Sequence, residues 1–159
     1  MADVNRSRTI AAEPATIWEL LADFGALATW ADGVDHSCLL RRGDDPVGTA
    51  RRVQVGRETL IETIAVYDPP RELAYDVAGV PRWFSVMNRW NLRPGPGART
   101  TVTLTSVVRM RPHPLRPIAE PMLTRIIAKR SDDLLNSLAK HAEHAEHAEH
   151  AERHPERTR

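Results

Sequence analysis

Between Val34 and Met110 turn chemistry cuts the chain again and again, at Gly43-Asp44-Asp45-Pro46, Gly56-Arg57, Asp68-Pro69-Pro70, Gly79-Val80-Pro81 and Pro94-Gly95-Pro96-Gly97. The pieces between these breaks are short and rich in β-formers, which predicts strands over 34–42, 48–56, 58–67, 72–78, 83–92 and 99–110. Connections this short can join only antiparallel neighbours, because a parallel pair needs a crossover of about a dozen residues. With an opening strand over Val4–Ala11, the pattern demands a consecutive antiparallel meander of seven strands. Alternation is clearest in 99–110, with Val102, Leu104, Val108 and Met110 on one face and Thr101, Thr103, Thr105 and Arg109 on the other. One face of the sheet is buried and the other is wet.

Such a sheet needs a cover. After the stiff connector His113-Pro114-Leu115-Arg116-Pro117, the longest helical pattern runs from Ile118 to Ala139. Leu123, Ile126, Ile127, Leu134 and Leu138 form its apolar stripe, and Pro121 either starts or kinks it. Two shorter helical pieces follow the first strand. One spans Glu13–Leu21, with Pro14 in its first turn, and the other spans Ala26–Trp30 beyond Asp23-Phe24-Gly25. Apolar sheet face and amphipathic helix must pack together, so the expected class is α+β, a curved antiparallel sheet gripping a C-terminal helix.

Composition removes several functions. The chain of 159 residues suits one domain, and its net charge of +1 gives no field for nucleic acid or an anionic membrane. A single cysteine, Cys38, excludes an internal disulfide and reads as a small buried hydrophobe rather than a reactive thiol. The start of the sequence has no apolar signal region and no run of about 18 apolar residues occurs, so a cytoplasmic protein without stable membrane insertion is expected. GxSxG, GxGxxG and Walker patterns are missing from the sequence, so neither a hydrolytic triad nor a cofactor is expected.

Three stretches carry a resemblance. Arg8-Thr9-Ile10-Ala11-Ala12-Glu13-Pro14-Ala15-Thr16-Ile17-Trp18-Glu19-Leu20-Leu21-Ala22-Asp23-Phe24, followed by Trp30, resembles the opening of the polyketide cyclase/dehydrase group, within the START/Bet v 1-like (SRPBCC) superfamily of helix-grip proteins. Asp68-Pro69-Pro70-Arg71-Glu72-Leu73-Ala74-Tyr75 is similar to that group's turn between central strands, and Ile118-Ala119-Glu120-Pro121-Met122-Leu123 to the start of its C-terminal helix. The resemblance spans roughly residues 4–140. It implies a largely apolar cavity between sheet and long helix that holds a hydrophobic small molecule: a lipid, a polyketide or an aromatic compound. It fixes no reaction, since members carry ligands or catalyse cyclisation and dehydration on one fold.

Candidate contacts follow from strand parity. Asn88 and Trp90 share a face with Val86 and Leu92, and Tyr75 shares one with Leu73 and Val77. A polar amide on an apolar face needs a partner, which for Asn88 is either a ligand or neighbouring backbone. Trp30 and Trp83 complete the aromatic set; Trp30 is placed at the rim, because the connector after the short helices borders the opening in the helix-grip fold. Trp18 reads as core. Arg51, on the parity of Val53 and Val55, is a candidate for an anionic head group, against the reading that it reaches out to water. His36, on the parity of Cys38 and Leu40, is a similar case. Glu62 lies between Leu60 and Ile64, but Ile61 argues the opposite parity, and solvent exposure is favoured over a buried acid.

The domain is expected to span 1–140, with 141–159 a tail built on the repeat His141-Ala-Glu-His144-Ala-Glu-His147-Ala-Glu-His150-Ala-Glu. Steps of three residues turn a helix by roughly 300°, so successive imidazoles drift apart; only neighbouring pairs can chelate, no four-ligand site forms within one chain, and no functional metal is expected. Glutamates four residues before His147, His150 and Arg153 instead support a solvated helical extension, with Pro155–Arg159 disordered. Three functions stay open: a carrier for a hydrophobic small molecule, a cyclase/dehydratase-type enzyme using polar groups in the cavity, and an interaction protein with a vestigial cavity. Oligomeric state stays open as well.

Overall fold

In the computed structural model, which describes residues 2–153, each segment between turns forms a strand. The elements are β1 (Ala2–Ile10), α1 (Pro14–Ala22), a 3-10 segment (Phe24–Thr29), β2 (His36–Arg41), β3 (Ala50–Val55), β4 (Glu58–Asp68), β5 (Glu72–Ala78), β6 (Phe84–Pro94), β7 (Thr100–Met110) and α2 (Arg116–Arg153). The seven strands make one sheet in the order β1-β7-β6-β5-β4-β3-β2. Every pair is antiparallel, and β2 to β7 run as a consecutive meander. The expectation that β1 continues that order is corrected: α1 and the 3-10 segment lie between β1 and β2, and β1 pairs with β7, which leaves β1 and β2 as the two edges of the sheet. This is the α+β helix-grip architecture.

Register decides what the inner face carries. The Gly56-Arg57 turn has glycine at its first position with φ +58°, as a two-residue hairpin of this hand requires, and it sets Arg51 opposite Glu62. A bulge between Ile64 and Val66 then shifts the parity of β4, which brings Tyr67 to the inner face opposite Leu73. Tyr67 meets Trp18 edge-on at 5.3 Å, tying α1 to the sheet. Along β7, Thr100, Val102, Leu104, Ser106 and Val108 are all buried, as the alternation requires.

The core lies where α1, the 3-10 segment and the second half of α2 meet the sheet. Ile10, Ile17, Val102 and Leu138 are all at 0% exposure. Pro121 neither starts α2 nor ends it. Its missing N–H frees the carbonyl of Pro117 in the first turns of the helix, where both prolines are exposed to solvent.

Helix α2 runs through the repeat to Arg153, and the expected boundary at residue 140 has no counterpart in the packing. Ala142 is fully buried. The Glu143 carboxylate accepts the Ala11 N–H at 3.1 Å, and Glu146 accepts the Glu13 N–H at 3.3 Å and the Thr16 hydroxyl at 2.7 Å. Glu13 itself caps nothing, and Glu146 instead brings a carboxylate to the N-terminus of α1, where it holds the Glu13 N–H and the Thr16 hydroxyl. The expectation of a wholly solvated tail is therefore corrected for residues 142–146, whereas 147–153 are exposed. The expected disorder of Pro155–Arg159 falls outside the described residues.

Candidate ligand cavity

Cross-strand register builds two transverse rows on the concave face. One runs Arg51–Glu62–Val77–Val86–Val108 and the other Ile64–Tyr75–Asn88–Ser106. The polar groups of both rows are thereby gathered at one depth. Above them, between the sheet and the first half of α2, lies a cavity of about 600 Å³. Its walls are mainly apolar, with Val53, Val77 and Val86 from the sheet and Leu123, Ile127 and Leu134 from α2.

Burial along the lining shows which end opens. Arg57, Glu58, Thr59, Gly79, Pro81 and Ile126 line the cavity and are exposed, so they mark its mouth. Glu62, Tyr75, Leu104, Ser106 and Ser131 line it and are buried, so they mark its inner end.

At that inner end the Arg51 guanidinium donates from Nε to Glu62 Oε2 at 2.6 Å, with Nη2 at 2.5 Å from the same oxygen. Its Nη1 donates to the Phe24 carbonyl at 2.9 Å. The guanidinium carbon sits 3.9 Å from the centre of the Phe24 ring and 5.1 Å from that of Tyr75. An arginine covered by two rings satisfies charge and stacking together. Nearby, Trp90 Nε1 donates to the Tyr75 hydroxyl at 3.3 Å, and the Ser106 and Asn88 side chains are hydrogen-bonded at 2.7 Å through Asn88 Oδ1. Burial pushes the Tyr75 hydroxyl up to about 12, and the Glu62 charge adds to the rise against Arg51 and the hydrogen bonds from Trp90 and Asn88. Tyr75 is therefore a neutral hydroxyl at physiological pH.

The candidate residues separate into two groups. Tyr75 and Asn88 line the cavity. Trp30, Trp83, Trp90 and Arg51 are not among the lining residues. Trp30 is 3% exposed, donates Nε1–H to the Leu20 carbonyl at 3.2 Å and meets Trp90 edge-on at 6.3 Å. It belongs to the core behind the inner end rather than to the rim. Trp90, 1% exposed, does the same from β6. Trp83 precedes β6, so strand parity does not govern it; it is half-buried and stacks on His113 at 5.8 Å. Arg51 is turned to Phe24 and Tyr75, which places Glu62 on the cavity side of the pair.

Comparison with known proteins sets this geometry in a lineage. Residues 1–143 match the family described as polyketide cyclase / dehydrase and lipid transport. The chain belongs to this family. No curated protein matches it. Among solved structures, the Zhui aromatase/cyclase from Streptomyces sp. R1128 is similar at 23% identity and TM-score 0.75, over 89% of this chain and 93% of that one. A protein from Thermobifida fusca is similar at 26% identity and TM-score 0.72, over 89% and 93%. A START superfamily protein from Mycobacterium smegmatis is similar at 18% identity and TM-score 0.65, over 92% and 97%. The likeness to these structures is one of fold. Among the described residues, no helix is long and apolar enough to cross a membrane.

Within the polyketide cyclase/dehydrase and lipid transport fold, the residue that strand parity misjudged is Glu62, which is 6% exposed rather than solvated. Ile61, the cause of the misjudgement, lies half-buried on the opposite face. A usable signal was present. A two-residue turn at 56–57 places position 51 opposite 62, and opposite charges facing each other across an apolar surface form a pair. His36 and Cys38 lie on the outer face of the edge strand β2, His36 exposed and Cys38 half-buried, while Ser37 points inward and donates to the Gly25 carbonyl at 2.8 Å. The expectation of a buried Cys38 is corrected accordingly.

Proposed function

We propose that this protein binds a hydrophobic small molecule in the cavity between sheet and α2. The observation that carries the reading is a cavity of about 600 Å³ with apolar walls, open at one end and closed by polar groups at the other. That size lies within the range of about 300–1,000 Å³ that small-molecule sites occupy. A ligand burying about ten methylene-sized groups gains roughly 8 kcal/mol of transfer free energy, which caps its affinity at the micromolar scale before ordering costs; larger ligands that fill the cavity offset those costs. A large unfilled cavity also weighs against a vestigial one, because close packing is the rule in protein interiors. Carriage requires nothing further.

An enzymatic reading has one observation in its favour, the meeting of the Glu62 carboxylate and the neutral Tyr75 hydroxyl at the inner end. In that reading Tyr75 hydrogen-bonds a substrate oxygen and Glu62 accepts a proton, as in cyclisation or dehydration of a polyketide-like substrate.

The test is extraction of protein purified from its native host, followed by mass spectrometry of the extract. Near-stoichiometric recovery of one apolar compound is the expected result. Recovery of that compound in chemically altered form after incubation, lost in Tyr75→Phe, would favour the enzyme. Protein that is empty and stays empty on titration with neutral apolar compounds contradicts both.

A further inference from the structure

The Arg51–Glu62 pair is asymmetric with respect to the cavity, and this bears on the chemistry of the ligand. Glu62 lines the cavity and Arg51 does not. Both contacts from Arg51 fall on Oε2, and among the described residues no protein partner is found for Glu62 Oε1. The guanidinium is held on the far side by the Phe24 carbonyl and by two aromatic rings. A group entering the cavity therefore meets the carboxylate first.

The other polar atoms at this depth are largely committed. Asn88 Oδ1 is engaged by Ser106, and the Tyr75 oxygen accepts from Trp90. Ser131, 2% exposed, lines the cavity from α2, and its hydroxyl too has no protein partner among the described residues. Glu62 Oε1 and the Ser131 hydroxyl remain without a protein partner, beside the Tyr75 hydroxyl, which accepts from Trp90 and still has its own proton to donate. Among the described residues no buried side-chain oxygen lacks a hydrogen-bond partner, so these oxygens open onto the cavity, where a ligand donor can reach them and gains strength once water is displaced.

We infer that the cavity selects an uncharged ligand whose inner end is a hydroxyl group, donating to Glu62 Oε1, and that it rejects carboxylate and phosphate at that end. The inference rests on the binding reading above and names the ligand class. An anionic end on Glu62 would place two like charges together, and Arg51 cannot turn to meet it without leaving Phe24 and Glu62; Arg130, which lines the cavity from α2 and is half-buried, is the cation such an end would have to reach away from Glu62. An ether or hydrocarbon end fits the space but leaves Oε1 unpaired.

Three compounds with one ring system separate these cases. 2-Naphthol, 2-methoxynaphthalene and 2-naphthoate are titrated into the full chain at neutral pH by calorimetry, with Glu62→Gln as the variant. 2-Naphthol is expected to bind about tenfold or more tightly than 2-methoxynaphthalene, with 2-naphthoate weakest, since a hydrogen bond to a charged group carries that much discrimination. In Glu62→Gln the preference narrows and 2-naphthoate gains. If that variant does not fold, the series on the unmodified protein decides alone. Equal binding of 2-methoxynaphthalene and 2-naphthol, or strongest binding of 2-naphthoate, overturns the inference and leaves the cavity reading standing. Failure of all three compounds to bind overturns both.

Discussion

Breaking the Arg51–Glu62 pair from either side should destabilise the protein, and by unequal amounts. Both side chains are almost fully enclosed, at 5% and 8% exposure. Removing one partner of such a pair leaves an uncompensated charge and costs about 3–5 kcal/mol. Glu62→Gln keeps an amide oxygen as acceptor but removes the charge that balances the guanidinium buried between the Phe24 and Tyr75 rings, so it belongs at the upper end. Arg51→Met leaves a carboxylate that faces the cavity and keeps some hydration, so it belongs at the lower end. The double variant Arg51→Met/Glu62→Gln removes both charges and should be more stable than either single variant, because the desolvation cost of the pair disappears as well. Urea unfolding followed by tryptophan fluorescence gives the three differences. Single variants within about 1 kcal/mol of the parent, or a double variant that loses the sum of the two singles, would refute a buried, mutually dependent pair.

Other consequences are more local. Trp90→Ala should lower stability by about 3–5 kcal/mol in the same unfolding assay, since the indole packs in the core behind the cavity; a loss below 1 kcal/mol would place it elsewhere. Burial raises the Tyr75 hydroxyl from 10.0 to about 12, so the folded state holds that proton more tightly than the unfolded chain does. The resulting stability, about 2–3 kcal/mol, is present below pH 10 and is lost as pH rises through 12. Tyr75→Phe should flatten that alkaline limb, and an unchanged limb would contradict the assignment. Truncation after Lys140 removes Ala142 from the core and the acceptors for Ala11, Glu13 and Thr16, and should cost about 2–4 kcal/mol by chemical denaturation. Glu146→Ala alone should cost about 1–2 kcal/mol; a truncated protein as stable as the parent would show that residues 142–146 contribute no packing.

Strands β2 to β7 and their order were legible because each turn announces itself through glycine, proline or aspartate, and short connections leave antiparallel neighbours as the one geometry available. The place of β1 beside β7 was not, because its link to β2 is a long helical one that sets no neighbour. The concave face was legible where alternation is undisturbed, as for Tyr75 and Asn88; Ser106 went unread, since a lone serine on an apolar face carries no signal of its own. It failed at Glu62, where Leu60 and Ile61 are adjacent apolar residues and the bulge at 64–66 breaks the period of β4. Parity also says which face a side chain takes but not how deep along that face the cavity reaches. Trp90 shares a face with Asn88, yet it lies in the filled part of the core beside Leu73 and Leu104. Trp30 fell outside parity altogether, since its position depends on how the 3-10 segment turns after α1. The contacts of Glu143 and Glu146 could not be read from a repeat whose members look alike, because only tertiary proximity to the start of α1 distinguishes the first two glutamates from the rest.

The cavity as a binding site is tested most directly by titrating the protein with N-phenyl-1-naphthylamine, a neutral apolar fluorophore, beside the variant Val77→Trp/Val86→Trp. Both valines line the cavity and are half-buried on strands that tolerate aromatic side chains, so the variant fills the space while retaining the fold. Saturable fluorescence enhancement at one site per chain, with micromolar affinity in the parent and none in a folded variant, is the predicted result. Equal enhancement in parent and filled variant would show that the probe binds elsewhere, and it would contradict a ligand site between the sheet and α2.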